Sequence, residues 1–368
     1  MLKNLIVLPD GTEIMSGAGT INAIQSATYT SCVNSGTELT LGSVCCNALE
    51  AKIFTPNGEL NISAGKEVTY YKVDDSGERH KMGVFIAEKP AKSSAHTYKL
   101  TAYDRISWLD RDLTDWLASL SDWPYSLLTF AQMVCDACGL TLITESIPNG
   151  DFLVQGFTAE VTGRDLMRWV GEACGRFCRA NANGEAELVW YKTVDCEIDL
   201  NGEYYIKQNG LSYDDYQIKS IDGVNLHLLD GETSMVWPDS GTITNAYVIT
   251  GNYLLAGENN NNLHPVIKNL YDILSEVQYT PCKVTIPANL DINAGDIVRV
   301  TDRNGNQITS YVMIKTQSGQ RDTLECTGSI SRNSAIAVNA KSSSDYAKLL
   351  KDEKNAREAA LRRLAQAL

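Results

Sequence analysis

The chain has 368 residues, 43% of them hydrophobic, and a formal net charge of -13 at pH 7. That length is enough for two or more hydrophobic cores, and the acidic balance argues against a surface whose main task is to bind nucleic acid. The first apolar run ends at Pro9-Asp10-Gly11, too early for a secretory signal, and no run is long enough to span a membrane. We therefore expect a chain folded in the cytoplasm without stable membrane insertion, whose ten cysteines are mostly buried thiols.

Residues 1–105 are predicted to form a first β-barrel. Turn residues at Asp10-Gly11, at Pro56-Asn57-Gly58 and at 74–77 separate runs in which apolar and polar side chains alternate. The runs "EVTYYKV" and "TYKLTAY" are typical of β-strands.

Residues 106–200 change to a helical period. The run "SLLTFAQMVCDACGL" places apolar residues at helical spacing between a capping Ser126 and a terminating Gly139. The run "TGRDLMRWVGEACGRF" begins with Thr162 and Asp165, a capping box with Asp in place of Glu. A hairpin follows in "RFCRANANGEAELVWYK", so the stretch predicts a mixed α/β module.

Residues 201–275 are predicted to be a second inserted β/α module. It has strands in "YQIKSI" and "AYVIT", a loop in "GENNNNLHP" and a short helix from Pro265 to about Leu274. Residues 276–333 return to strand patterns and are predicted to form a second β-barrel. Residues 334–368 combine a linker with a strongly helix-forming C-terminal segment.

One strand-and-turn sequence occurs twice, as "LNISAGKEVTYYKVDDSG" at 60–77 and as "LDINAGDIVRVTDRNG" at 290–305. The runs "VFIAEK" and "VMIKTQ" continue the likeness more loosely, with Val84 aligned to Val312. Convergence on a common barrel hairpin is one interpretation, and a small β-barrel present in two copies is the other. The aligned pairs are Leu60 with Leu290, Ile62 with Ile292, Gly65 with Gly295, and Val68 with Val298.

A duplicated barrel has a use in symmetric assembly. Three subunits with two barrels each would present six in a pseudo-sixfold array, which could sit on a sixfold partner. The C-terminal segment is compatible with a trimer because it carries an apolar seam at Ala347, Leu350, Leu361, Leu364 and Leu368. Lys354 and Arg357 interrupt that seam, so a solvated terminal helix on a monomer is the alternative.

Four stretches taken together resemble a known family. They are "YKLTAYDRISWLDRDL", "PYSLLTFAQMVCDACGLTL", "TGRDLMRWVGEACGRFCRANANGEAELVWY" and "LDINAGDIVRVTDRNG". Their order and spacing, over nearly residues 50–330, resemble the baseplate or tail hub proteins of long-tailed phages. That family includes the hub region of tail-associated lysins and prophage tail endopeptidase-like proteins, and hubs of contractile injection systems. The first fifty residues match it least.

The resemblance implies a mainly β fold with α+β insertions, in which two homologous small antiparallel β-barrels flank mixed α/β modules before a C-terminal helix. It implies a structural protein of the virion tail tip, assembled in the host cytoplasm. A homotrimer would form a pseudo-hexameric ring that joins the tail tube ring or distal tail protein to a threefold spike or fibre. The tape-measure protein and DNA would pass through the lumen, the DNA without specific binding.

Metal and cofactor chemistry finds little support. The pairs Cys135 with Cys138 and Cys174 with Cys178 have zinc-like spacing, but both lie in predicted helices, where small thiols usually pack as apolar residues. Residues 302–306 imitate the start of a calcium loop without its later glycine and glutamate, so a hairpin turn is the better interpretation. We therefore predict no metal and no cofactor.

Catalysis is not expected either. The four histidines form no recognisable motif, and no nucleophile elbow or phosphate-binding glycine loop is present. We predict that the chain is not an enzyme and has no catalytic residue. The alternatives are a tail-associated cell-wall peptidase, for which we expect a C-terminal lytic domain that this sequence has no room for, and a carbohydrate-binding tip module, which would need clustered exposed aromatics.

Overall fold

The computed structural model describes residues 2–17, 22–36, 38–200, 211–213, 217–229, 234–255 and 260–328. Strands predominate in it, which confirms the mainly β fold class. The N-terminal strands are β1 (Lys3–Val7), β2 (Glu13–Ser16), β3 (Ala23–Cys32), β4 (Ala48–Phe54), β5 (Glu67–Val73), β6 (Arg79–Ala87), β7 (Ala91–Ser94) and β8 (Thr97–Asp104).

The middle of the chain alternates short strands with helices. Its strands are β9 (Tyr125–Ser126), β10 (Leu153–Val154), β11 (Phe177–Ala180), β12 (Ala186–Val189), β13 (Lys192–Asp199), β14 (Leu211–Tyr213), β15 (Gly223–His227), β16 (Ser234–Trp237) and β17 (Ala246–Thr250). The helices are α1 (Thr114–Ser119), α2 (Leu127–Cys138), α3 (Gly163–Cys174) and α4 (Asn260–Leu274), with 3-10 turns at Arg105–Asp110 and Tyr253–Leu255. The last described strands are β18 (Cys282–Pro287), β19 (Asp296–Thr301), β20 (Gln307–Tyr311), β21 (Ile314–Ser318) and β22 (Arg321–Cys326).

The N-terminal strands close into a seven-stranded barrel. Its strand order is β3-β2-β1-β5-β6-β8-β4, and β4 pairs back to β3. The pairs are antiparallel except β2 with β3. Alternation along the strands turns every second side chain inward, and the interior is filled by aromatic and aliphatic residues that include Ile6, Ile14, Tyr29, Tyr70 and Phe85. A closed β-barrel is therefore part of the mainly β fold.

Helices α2 and α3 have the predicted ends. Ser126 Oγ accepts a hydrogen bond from the Thr129 N–H at the start of α2, and Gly139 ends it at φ 81°. Thr162 and Asp165 form a complete capping box at the start of α3. The two helices pack together in the largest core of the described chain, beside the β11–β12 hairpin.

The C-terminal part of the inserted region differs from the prediction. Helix α4 begins at Asn260, so the predicted loop "GENNNNLHP" is helical from Asn260 onward and Pro265 lies inside the helix. Leu263, Ile267 and Leu270 are buried on one face. The free energy gained by burying that face offsets the cost of the one backbone hydrogen bond that proline cannot donate.

The C-terminal strands surround a second, smaller core. The strands β14-β18-β22-β21 continue the sheet of the barrel through β3, and β13-β19-β20 form a separate three-stranded sheet. Strand β13, which the sequence analysis grouped with residues 106–200, pairs in parallel with β19. The barrel contains the strand order β4-β8-β6-β5. The second unit contains the order β18-β22-β21 and the pair β20-β19. Strands β20 and β21 follow one another directly in the chain and together take the place of β6. The two β units therefore share a strand order.

Two further expectations concern the C-terminal seam and membrane-spanning helices. The seam residues Ala347, Leu350, Leu361, Leu364 and Leu368 lie outside the described residues. Among the described helices, none is long and apolar enough to cross a membrane.

Candidate functional site: the junction of the two β units

The two β units meet along a shared pair of strands. Strand β21 of the second unit pairs antiparallel with β3 of the barrel, from Ile314 opposite Cys32 to Ser318 opposite Thr28. At the β21–β22 turn, the Gln320 side chain accepts a hydrogen bond from the Leu2 N–H (2.8 Å) and donates one to the Leu2 carbonyl (2.6 Å). We call this region, with the buried polar residues beside it, the junction.

On the barrel side, the junction holds three inward-facing polar side chains. Asn4 Oδ1 accepts hydrogen bonds from the Tyr70 hydroxyl (2.7 Å) and from Lys72 Nζ (2.8 Å). Lys72 is fully buried because alternation along β5 places it on the same inner face as Val68 and Tyr70. A buried ammonium group therefore lies at one end of the barrel interior.

On the side of the second unit, the junction holds an ion pair. Lys315 Nζ lies 3.1 Å from Asp322 Oδ2, and the two side chains are 1% and 0% exposed. Lys315 Nζ also donates to the carbonyls of Asn289 and Ile292, while Asp322 Oδ2 accepts from the Asn289 N–H (2.9 Å). The pair thus ties β21 and β22 to the turn that precedes β19.

The two groups of charges influence one another. The pKa of Lys72 is lowered to about 8, chiefly by burial; the charge of Asp322 opposes this shift and the charge of Lys315 adds to it. Buried ionic groups add little to stability compared with apolar residues of similar volume, but breaking them is strongly unfavourable. The ion pair can therefore fix β21, the strand through which the second unit pairs with the barrel, in one position within its own unit.

The repeat residues occupy like places in the two units. Ile62 and Val68 lie in the barrel core, and Ile292 and Val298 lie in the second core. Leu60 and Leu290 are half-buried at the equivalent approach to the hairpin.

The two repeat glycines make the same backbone hydrogen bonds. Gly65 N–H donates to the Ala87 carbonyl, and Gly295 N–H donates to the Val312 carbonyl, each at 2.8 Å. Their φ angles of +80° and +96° lie in the region that favours glycine. These bonds align Val312 with Ala87. The looser alignment of Val312 with Val84 is therefore wrong in register, because the hairpin that starts at Gly295 is shorter.

The predicted zinc-like cysteines pack as apolar residues. Cys135, Cys138, Cys174 and Cys178 are all buried in the core around α2 and α3. The Cys135 thiol lies 3.9 Å from the Met167 sulfur. Burial raises the pKa of Cys135 and of Cys174 to about 12 each, so these thiols stay protonated at neutral pH. Protonated thiols are poor zinc ligands.

The predicted hairpin at residues 302–306 is present. Asp302 Oδ1 accepts hydrogen bonds from the N–H groups of Asn304 and Asn306, so its carboxylate caps the β19–β20 turn. In the described part of the chain, one group has metal-like proximity, namely Asp74, Glu78 and His80 in the exposed β5–β6 turn. Asp74 there already accepts hydrogen bonds from the turn itself, and the cluster carries no further conclusion.

The sequence analysis missed the junction residues. Lys72, Lys315 and Asp322 are charged, and a charged residue in a strand is normally assigned to the solvent face. The alternation of side chains along β5 could have identified Lys72 as buried, because it places Lys72 on the same inner face as Val68 and Tyr70.

The comparisons concern the whole fold. No protein-family model matches the chain, and no curated protein matches it. A tail protein from Neisseria meningitidis MC58 is 11% identical at a TM-score of 0.55 and covers 89% of this chain and 97% of its own. The 43 kDa tail protein of prophage MuSo2 from Shewanella oneidensis is 12% identical at 0.52, covering 88% and 96%. The prophage tail protein gp18 from Listeria monocytogenes EGD-e is 11% identical at 0.51, covering 95% and 99%.

The likeness extends over nearly the full length of these three proteins. At such low identity it shows a shared fold, and it bears out the resemblance to phage tail proteins.

Proposed function

We propose that the chain is a structural hub of a phage tail tip or baseplate. The observation that carries this proposal is the fold, which this chain shares over nearly its whole length with three tail proteins, two of them from prophages. The role is architectural and not enzymatic: the cysteines beside α2 and α3 are buried, and burial keeps their thiols protonated.

The hub is a homotrimer in which the two β units of each chain alternate around a pseudo-hexameric ring. The shared strand order and the matched hydrogen bonds of Gly65 and Gly295 support two homologous barrels. A barrel at 1–105 and another at 276–333 would then flank inserted modules at 106–200 and 201–275, with a linker and helix at 334–368. Six related faces from three chains can sit on a sixfold ring.

The ring joins the distal tail protein or tail tube ring to a threefold spike or fibre, and the tape-measure protein and DNA pass through it. The net charge of -13 per chain supports passage without specific DNA binding, because an acidic lumen repels phosphate. The C-terminal helices would converge on the threefold axis through Ala347, Leu350, Leu361, Leu364 and Leu368. The assembled particle is a virion, and the chain enters it from the host cytoplasm.

Imaging of isolated tails by cryo-electron microscopy tests the proposal. We expect three copies of the chain at the tip, with six β units around one axis. The purified chain should show a native mass of three times 40.4 kDa, alone or after addition of the tube ring that templates it. One copy per particle, or a basic lumen, would contradict the hub. Release of peptidoglycan fragments by the purified chain would support the peptidase alternative instead.

A further inference from the structure

The likeness of the two β units extends from the repeat glycines into the strands that close each unit. One residue beyond the carbonyl that accepts the Gly65 bond, the Glu88 N–H donates to the Thr101 carbonyl of β8 at 2.9 Å. One residue beyond the carbonyl that accepts the Gly295 bond, the Met313 N–H donates to the Glu325 carbonyl of β22 at 2.9 Å. Strand β8 is therefore aligned with β22.

Each of these closing strands begins after a tight turn. In the barrel, Ser94 of β7 lies opposite Thr97 of β8. In the second unit, Ser318 of β21 lies opposite Arg321 of β22. Thr97 and Arg321 match in the alignment of β8 with β22, because they precede the aligned carbonyls by the same number of residues. Along the part of β8 that follows the turn, β7 therefore corresponds to β21, and Ser94 corresponds to Ser318.

A second correspondence lies on the other side of the closing strands. Glu50 of β4 and Lys283 of β18 lie opposite the two aligned residues of β8 and β22. On its far side, Glu50 lies opposite Thr28 of β3, and Lys283 lies opposite Ser212 of β14, both in antiparallel pairs. Strand β14 therefore corresponds to β3, and Ser212 corresponds to Thr28.

The corresponding strands differ in their pairing. Within the chain β21 pairs with β3, where Ser318 lies opposite Thr28 and their hydroxyls are 3.5 Å apart. Among the described strands, their counterparts β7 and β14 have one neighbour each. All four residues of β7 are exposed, and Tyr213 of β14 is 43% exposed, whereas its counterpart Tyr29 is 6% exposed. Edges of this kind are templates for a strand of another chain.

The side chains of β7 leave its outer edge open. Lys92 is charged, but its Nζ donates to the Gly58 carbonyl (3.3 Å) and lies over the Tyr98 ring of the same barrel. The Ser93 hydroxyl donates to the Thr97 carbonyl (3.2 Å), also in the barrel. Charged side chains that protect an edge strand project across it, and these are held against the barrel instead.

We propose that β7 of one chain pairs antiparallel with β14 of a second copy, and so repeats between chains the β3–β21 contact that joins the two units within a chain. The matched register places Ser94 opposite Ser212 of the neighbouring copy. The register is taken from Ser94 because β7 has a bulge between Lys92 and Ser94. Two hydroxyls then occupy the positions that Ser318 and Thr28 occupy within the chain.

The contact is heterologous, since each copy offers β7 to one neighbour and β14 to the other. Heterologous contacts close into a ring when the rotation between copies permits it. Three copies would then present six β units joined by six ladders of one kind, three within chains and three between them. The inference rests on the proposed trimeric hub and names the strands that join its chains.

The experiment is disulfide cross-linking of the full chain that carries Ser94→Cys and Ser212→Cys. Residues directly opposite on antiparallel strands have Cα atoms about 4.5–5.5 Å apart, within the range of about 4.4–6.8 Å that a disulfide spans. The native mass is measured first, for the chain alone and with the tube ring added. After mild oxidation with oxidised glutathione, we expect covalent species of two and three chains on a denaturing gel without reductant, and a 94–212 bridge by peptide mapping.

Matched variants control for geometry and for random oxidation. Thr28→Cys with Ser318→Cys, the corresponding pair within one chain, should form a bridge without joining chains. Each single variant, Ser94→Cys or Ser212→Cys, should leave the chains unlinked, because like strands do not meet in a heterologous contact. Ser76→Cys in the exposed β5–β6 turn, combined with Ser212→Cys, should also leave them unlinked.

The outcomes separate the strand contact from the hub itself. A native trimer without the 94–212 bridge, in which the Thr28→Cys and Ser318→Cys pair does form its bridge, would overturn the β7–β14 contact and leave the hub standing. A single-chain mass under every condition would contradict both, and so would covalent chains longer than three. Hydrogen exchange of the wild-type chain gives a test without variants. The β7 amides should exchange more slowly in the trimer than in the monomer, and equal rates would overturn the proposal.

Discussion

The two repeat glycines allow one prediction in which each site controls for the other. Both have positive φ and make the same backbone hydrogen bond, but their surroundings differ. A Cβ at Gly65 would meet no atom within 4 Å, whereas a Cβ at Gly295 would lie 3.1 Å from Arg179 Nη1 and 3.5 Å from Val33 Cγ1. We expect Gly295→Ala to destabilise the chain more than Gly65→Ala.

The magnitudes follow from two separate effects. At Gly65 the loss is conformational, about 1–2 kcal/mol for an L residue held at positive φ. At Gly295 the same loss applies, and the new methyl group also displaces the Arg179 guanidinium. That group donates to the Ala294 carbonyl and to Glu187 (2.7 Å), with Arg179 and Glu187 only 21% and 19% exposed. Weakening these partly buried bonds adds about 1–2 kcal/mol.

Urea unfolding followed by tryptophan fluorescence measures both losses. The excess at Gly295 should disappear in an Arg179→Ala background, because the displaced group is then absent. Equal losses at the two glycines would refute the steric part of the reasoning, and a neutral Gly65→Ala would refute the conformational part. A persistent excess in the Arg179→Ala background would assign the crowding to Val33 instead.

The junction charges give the remaining predictions. Because burial lowers the pKa of Lys72 to about 8 from an ordinary 10.5, the folded chain carries a penalty that is full below about pH 8 and gone by about pH 10.5. The stability of the wild type relative to Lys72→Met should therefore rise across that window, by at most about 3 kcal/mol, and urea midpoints at a series of pH values check it. Asp322→Asn should destabilise by about 3–5 kcal/mol because it leaves Lys315 buried without its counter-charge. Glu325→Gln should cost about 1 kcal/mol or less, because its 2.7 Å partner Lys283 is 58% exposed. Adding Lys315→Met to Asp322→Asn should recover part of the loss, and a double change more harmful than either single one would contradict the pairing.

Local features were predictable because their causes are local. A cap and an apolar stripe define α2 and α3, and Gly139 terminates α2; α2 begins and ends, and α3 begins, where those residues predict. The run "EVTYYKV" coincides with β5, and "AYVIT" coincides with β17. The glycine repeat was visible because a positive φ favours glycine in both copies.

Long-range pairings were not predictable in the same way. The sequence places strand β13 at the end of the α/β module, yet β13 pairs with β19, which lies about a hundred residues later in the chain. Helix α4 extends through "NNNLHP" because its apolar face is buried, which outweighs low local propensity. The side chains of Lys72 and Lys315 are buried because the alternation along β5 and β21 turns them toward the interior. Their partners lie on other strands, which the local sequence does not identify.

The junction also explains why a chain of this design would hold charges in its interior. In the proposed ring, the turn from one β unit to the next within a chain must match the turn between neighbouring chains, or the six units do not fit a sixfold partner. An apolar contact tolerates small slips, whereas Lys315 bound to Asp322 and to two fixed carbonyls has one favourable position. The shared β3–β21 ladder sets the register, the Gln320–Leu2 bonds resist sliding along it, and the ion pair fixes β21 within its own unit. The fit of six units to a sixfold partner would then depend on these contacts at the junction.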